Sequence, residues 1–171
     1  WMYFSGAVTR SGASVVGSAN LLTRVYFPRV LVPLSATLSA LVDFAIAFAV
    51  LGGLMGWYGI RPALSIVLLV PLAALTAVAA TGIGMWLAAL NVRFRDVQYA
   101  IPFLMQIWMF ATPVVYPTSI VPERWRPLFA LNPMTGIIEA YRAAVLGRPL
   151  DWGTLGVSAL SAVLLAAVGA W

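Results

Sequence analysis

"PALSIVLLVPLAALTAVAATGIGMWLAAL", residues 62–90, contains no charged side chain. At about 1.5 Å of rise per residue, roughly 20 apolar residues cross the hydrocarbon core of a bilayer, so this run is ample for a membrane span. Residues 97–121 ("VQYAIPFLMQIWMFATPVVYPTSIV") are equally free of charge, residues 30–57 hold only Asp43, and residues 154–171 begin a fourth such run. Of 171 residues, 63% are hydrophobic and 9% charged, whereas an ordinary soluble domain is about a quarter charged. These runs predict an all-α, polytopic helical membrane protein. A membrane β-barrel would instead need segments of about ten residues in strict alternation, which this sequence does not show.

The same composition narrows the chemistry. There is no Cys and no His, so thiolate and imidazole nucleophiles, disulfides and the usual zinc sites are excluded from this chain, and no metal site is expected. No G-x-x-x-x-G-K-[ST] phosphate loop and no lysine is present, so the chain carries no cofactor or ATPase site of its own. The five acids stand apart at Asp43, Asp96, Glu123, Glu139 and Asp151. With no D-x-D or D-D pair, they argue against a membrane-embedded glycosyltransferase. A secondary transporter or channel needs ionisable relays inside spans, and only Asp43 and Arg10 qualify. The net charge is +5, and all ten basic residues are arginines dispersed between apolar runs. That pattern suits anionic lipid headgroups or an anionic partner rather than nucleic acid.

Along the chain, residues 1–19 read as the end of a span, rich in Ser and Gly, which allow close helix approach. Residues 20–29 ("NLLTRVYFPR") form a short amphipathic helix stopped by Pro28. Spans are expected at 31–57, 63–90, 97–117 and 153–171. Five prolines from Pro113 to Pro133 break the region leading into and through 118–152. Within it, "NPMTGIIEAYRAAVLG" gives Asn132 as N-cap, Pro133 as first helical residue and Gly147 as stop. Met134, Ile137, Ile138, Tyr141 and Val145 share one face, and Glu139 and Arg142 are spaced to pair at i, i+3. Because Trp1 opens and Trp171 closes inside apolar segments, the chain reads as part of a longer permease-like protein.

Three sets of residues are candidates for function. Arg10 lies about 15 Å and Asp43 about 20 Å from the short connection at 20–29, at 1.5 Å per residue. The spacing therefore predicts an intramembrane ion pair, against the alternative of an Asp43 that is protonated or bonded to a hydroxyl. Tyr99, Phe103, Gln106 and Phe110 recur at i, i+4, i+7 and i+11 on one face, either lining a path or packing against helices and lipid. Gly52 and Gly56 make a G-x-x-x-G pair, a mark of close packing or merely a span end. Arginine counts leave orientation open: Arg24, Arg29, Arg93 and Arg95 lie on one side, and Arg61, Arg124, Arg126, Arg142 and Arg148 on the other.

The series "NLLTRVYFPRVLVPLSA", "LNVRFRDVQYAIPFLMQIWMFATPVVYP" and "VPERWRPLFALNPMTGIIEAYR" resembles the membrane subunit of type-2 ABC exporters, specifically permeases for O-antigen, capsule or teichoic acid chains. The resemblance implies a fragment running from the end of span 2 into span 6, with broken re-entrant helices at 118–152 as an extracytoplasmic gate. It also places residues 20–29 and 91–97 on the cytoplasmic side. Leu21, Leu22, Arg24, Val25, Tyr26 and Arg29 would form the coupling helix for an ABC ATPase, with Arg93, Arg95 and Asp96 a second contact or a lipid anchor. Tyr99, Phe103, Gln106, Phe110 and Tyr116 would border the substrate path. The implied whole is a permease subunit in a bacterial cytoplasmic membrane, paired with a second copy of itself and two ATPase subunits that hold ATP and Mg. It would move a lipid-linked polysaccharide or polyol phosphate; the alternative is a drug or small-molecule exporter of the same superfamily.

Overall fold

The computed structural model describes residues 1–18, 30–59 and 64–170. All regular elements among them are helical: α1 (Met2–Gly17), α2 (Leu31–Trp57), α3 (Leu69–Arg93), α4 (Val97–Ala111), α5 (Arg126–Ala130), α6 (Pro133–Leu146) and α7 (Trp152–Ala170). Three helical stretches, Leu31–Trp57, Ser65–Arg93 and Trp152–Ala170, are long and apolar enough to cross a membrane. The chain is thus an all-helical, multi-pass membrane protein.

Prolines set the departures from the expected spans. The helix expected over 97–117 ends at Ala111, because Pro113 disfavours helical backbone at Thr112, which is extended at φ −104°, ψ 141°. Its 15 residues rise only about 22 Å, short of the roughly 30 Å hydrocarbon core. At the start of α3, Pro71 has no N–H to give to the carbonyl of Val67, and the chain enters through a tighter 3-10 turn, Leu64–Leu68. The far end of α3 runs three residues beyond the expected 90, so Arg93 is its last residue.

α3 is the hub, packed against α1, α2, α6 and α7 and touching α4. Lipid tails are as apolar as leucine, so such contacts depend on close fit rather than on escape from water. Small residues supply that fit. A Cβ on Gly82 would lie 2.6 Å from the backbone of Ala166 in α7, and one on Gly84 would collide with Ser11 in α1. Around these contacts lie Phe4, Ala7 and Val8 of α1, Ala79, Ala80 and Ile83 of α3, and Ile101 and Met105 of α4. Asn91, fully buried, donates from Nδ2 to the Gly12 carbonyl at 3.3 Å and ties α3 to α1. By contrast, Gly52 and Gly56 have nothing within 4 Å of an added Cβ. Their G-x-x-x-G pair packs against none of the described residues.

α5 and α6 follow one another through a tight turn, α6 packing against α3 and α7 while α5 stays largely exposed. Ser158, six residues into α7 and so about 9 Å from its start, receives the Gly136 N–H at 3.0 Å. Its hydroxyl faces the carbonyls of Ala130 at 3.2 Å and Asn132 at 3.3 Å. Close approach again needs a glycine, since a Cβ at Gly136 would lie 2.6 Å from the Thr154 carbonyl oxygen. Asn132 caps α6 by accepting the Met134 N–H at 3.1 Å and donates to Thr112 at 2.8 Å. Gly147 ends α6 at φ +65°, with Arg148 N–H returning to Ala143 at 2.9 Å. The expected face is inward: Met134, Ile137 and Ile138 are buried, Tyr141 and Val145 half-buried.

Candidate functional site

Arg10 and Asp43 come together from neighbouring helices, with Nη2 of Arg10 2.7 Å from Oδ2 of Asp43. Their side chains remain 50% and 64% exposed, so the pair sits on a face that the described residues leave open. An unpaired Asp in mid-span costs about 2.5–3.5 kcal/mol on insertion scales. The Arg10 guanidinium supplies the partner of opposite charge.

Beside this pair, a groove of about 390 Å³ runs between α1 and α4. Ser5, Thr9 and Arg10 line one wall and Met105, Gln106 and Met109 the other. The expected four-residue stripe therefore divides. Gln106 faces the groove with Arg10, while Tyr99, Phe103 and Phe110, exposed by 77%, 65% and 60%, lie on the outer face of α4 and do not line it. At 100° per residue Gln106 stands at the edge of the stripe nearest Pro102 and Met109, which also line the groove. Tyr116 has a different place. It is half-buried in the turn after α4, its hydroxyl donating to the Phe110 carbonyl at 3.2 Å.

The two charges of α6 act on that turn rather than on each other. Arg142 donates to the Val114 carbonyl at 2.6 Å and to that of Tyr116 at 3.4 Å, while Glu139 accepts from the Thr118 hydroxyl. The ion pairs among the described residues are Arg10–Asp43 and Arg126–Glu123, so the expected Glu139–Arg142 pair is corrected. The reason lies in the prolines: Pro113 and Pro117 interrupt the helix, and carbonyls without helical partners draw in the nearest strong donor. Sequence reading missed this strap, though an arginine on a short helix beside a proline-broken segment was its signal. At the same end, Asp151 caps α7, accepting from the Thr154 hydroxyl at 2.6 Å and the N–H groups of Thr154 at 3.2 Å and Gly153 at 3.0 Å. The bond from the Thr154 hydroxyl is the main cause holding its carboxyl below the usual aspartate value, with the Thr154 N–H next.

At the opposite end, Arg93, Arg95 and Asp96 all lie exposed in the tight turn joining α3 to α4. The Arg93 guanidinium stands 5.5 Å over the Phe94 ring. Leu21, Leu22, Arg24, Val25, Tyr26 and Arg29 of the expected coupling helix lie outside the described residues.

Three long apolar helices, the α5–α6 hairpin packed on them through α6 and an open polar groove are joined by a match of residues 1–146 to the family model described as "ABC-2 type transporter". The chain belongs to the ABC-2 type transporter family. Two similar relatives are called O-antigen export system permease protein RfbA. That of Myxococcus xanthus is 32% identical over 169 residues, covering 96% of this chain and 65% of its own. That of Klebsiella pneumoniae is 26% identical over 170 residues, 99% of this chain and 66% of the relative. This ABC-2 chain thus spans just under two thirds of the length of the curated relatives it matches.

Proposed function

We propose that this chain is part of the permease subunit of an ATP-driven exporter that moves a lipid-linked polysaccharide or polyol phosphate across a bacterial cytoplasmic membrane. The observation that carries the reading is the open groove at span depth, where Arg10, Asp43, Ser5, Thr9 and Gln106 gather in an otherwise apolar body. Charged and polar groups at such depth face a partner or a water-filled cavity, and a glycan needs hydroxyl-bonding partners along its way. The names of the relatives support a glycan as cargo.

Energy comes from an ABC ATPase bearing ATP and Mg, docked through Leu21, Leu22, Arg24, Val25, Tyr26 and Arg29, with Arg93, Arg95 and Asp96 at a second contact. Two permease copies and two ATPase copies enclose the path, Gln106 bordering it and Tyr99, Phe103, Phe110 and Tyr116 flanking it. The hairpin of α5 and α6, held by Arg142 and Ser158, serves as the gate on the extracytoplasmic side.

The test is transport by the full-length permease with its ATPase in proteoliposomes, using lipid-linked glycan extracted from the source cells. ATP-dependent arrival of glycan at the far leaflet, read by accessibility to a lectin, is expected. Movement of a fluorescent lipophilic drug without movement of glycan would replace the reading with small-molecule export. Leu22→Asp should abolish ATPase co-purification while insertion persists; unchanged co-purification removes the docking assignment.

A further inference from the structure

A cavity of about 250 Å³ opens between the α5–α6 hairpin and the start of α7. At about 30 Å³ per water it has the volume of roughly eight waters, the bulk of one sugar ring or short polyol. Its walls carry both signs of charge: Arg126 of α5, Glu139 of α6 and Asp151 ahead of α7, with threonine hydroxyls between them and Phe129 as an apolar wall.

The state of each group decides what fits. Both Asp151 oxygens are taken by the Gly153 and Thr154 donors of its own helix cap. That leaves Glu139 as the one carboxylate with capacity, and Arg126 also lines the cavity, so a hard cation gains too few ligands. A phosphate would meet a single arginine against two carboxylates, and an acyl chain would strand the polar walls. Unspent hydrogen-bonding capacity remains on two sides. Oε1 of Glu139 accepts from Thr118, and Oε2 has no bond among the described residues. Arg126 reaches the Val121 carbonyl through Nε at 3.4 Å and Glu123 through Nη1 at 3.6 Å, and its Nη2 has no bond among the described residues. Thr135 also lines the cavity, but its hydroxyl oxygen is shut away from it and offers a ligand nothing.

We infer that this cavity binds one neutral polyhydroxyl unit, a sugar ring or polyol, whose hydroxyls donate to Glu139 and accept from Arg126 while its C–H face lies against Phe129. Such a unit has two sources, a residue of the exported chain or a free saccharide outside the membrane. The first rests on the transport reading above; the chemistry of the cavity does not.

Saturation-transfer NMR on the full-length permease–ATPase complex in nanodiscs tests it, with D-glucose, D-galactose, D-mannose and ribitol as probes beside surface polysaccharide isolated from the source cells. Transfer to the C–H protons of at least one probe is expected. Arg126→Met should weaken it by about threefold or more, the worth of one hydrogen bond, and Glu139→Gln should weaken it by a similar factor. Transfer to the polysaccharide as well assigns the site to the exported chain; transfer to small probes alone assigns it to free saccharide. No transfer to any probe, or transfer undiminished in both variants, overturns the site even where ATP-driven glycan movement succeeds.

Discussion

α3 and α4 are both strongly apolar, with Arg93 at the end of α3 the one charge between them, yet the molecule treats them in opposite ways. α3 is enclosed by α1, α2, α6 and α7 through Gly82, Gly84 and a run of alanines, whereas α4, among the described residues, packs mainly on α1 and the edge of α3 and turns Tyr99, Phe103 and Phe110 outward. In water, apolarity alone would send both helices inside. In a bilayer it is side-chain size that sorts them, because a small residue lets a neighbouring backbone approach and a large one does not.

The sharpest way to break this contrast is to enlarge the small contacts. Gly82→Leu drives a side chain into the Ala166 backbone and should cost about 3 kcal/mol or more, a fall of roughly 6–12 °C in melting temperature for a chain of this size. Gly52→Leu, with open space around it, should melt close to the parent. Equal melting of the two variants would show that helix contacts here do not depend on residue size.

Charge tests the open side next. Asp43→Arg places two guanidiniums where one ion pair stood, and each unpaired charge in mid-span costs about 2.5–3.5 kcal/mol. Folded yield and export should both collapse, and Arg10→Asp added to Asp43→Arg should recover part of each. Absence of any recovery would separate the ion pair from the working face of α1.

A smaller effect is expected at the hairpin tip. Asn132→Ala removes the α6 cap and the bond to Thr112 and should cost about 1 kcal/mol, or roughly 2–4 °C. A loss no larger than that of an exposed surface substitution would mean that α4 and α6 are not joined there. The smallest effect is a pH dependence. The Asp151 carboxyl is held below its usual value in the folded state, so its contribution is complete above the unfolded pKa of about 3.9 and is lost as pH falls through the depressed folded value. The melting difference between parent and Asp151→Ala should stay level from pH 7 to about 4 and shrink below. A difference that grows on acidification contradicts the cap.

What could be read from sequence follows the range of the physics involved. The long apolar helices and the capped helix Pro133–Leu146 were legible because apolar length and cap chemistry are local. The Arg10–Asp43 contact was legible because two spans joined by a short connection must match in depth. The end of α4 was missed because apolarity continues past Ala111 while Pro113 has already broken the backbone. Glu139 and Arg142 have a spacing that suits a pair, and only the fold brings 114–118 close enough to outbid it. The groove-facing role of Gln106 was hidden in an aromatic stripe, since one helical face does not say which of its edges a neighbour will meet.

Ser158 also bears on the order in which the molecule can be built. A chain leaves the ribosome N-terminus first, at about 5–20 residues per second, so α5 and α6 emerge before the serine that joins the Ala130 and Asn132 carbonyls and the Gly136 N–H. Until α7 follows, those backbone groups must be met by water, and dry burial of the hairpin tip is barred. The hairpin tip therefore has to stay hydrated for roughly one to a few seconds of synthesis, until α7 brings the Ser158 hydroxyl to it.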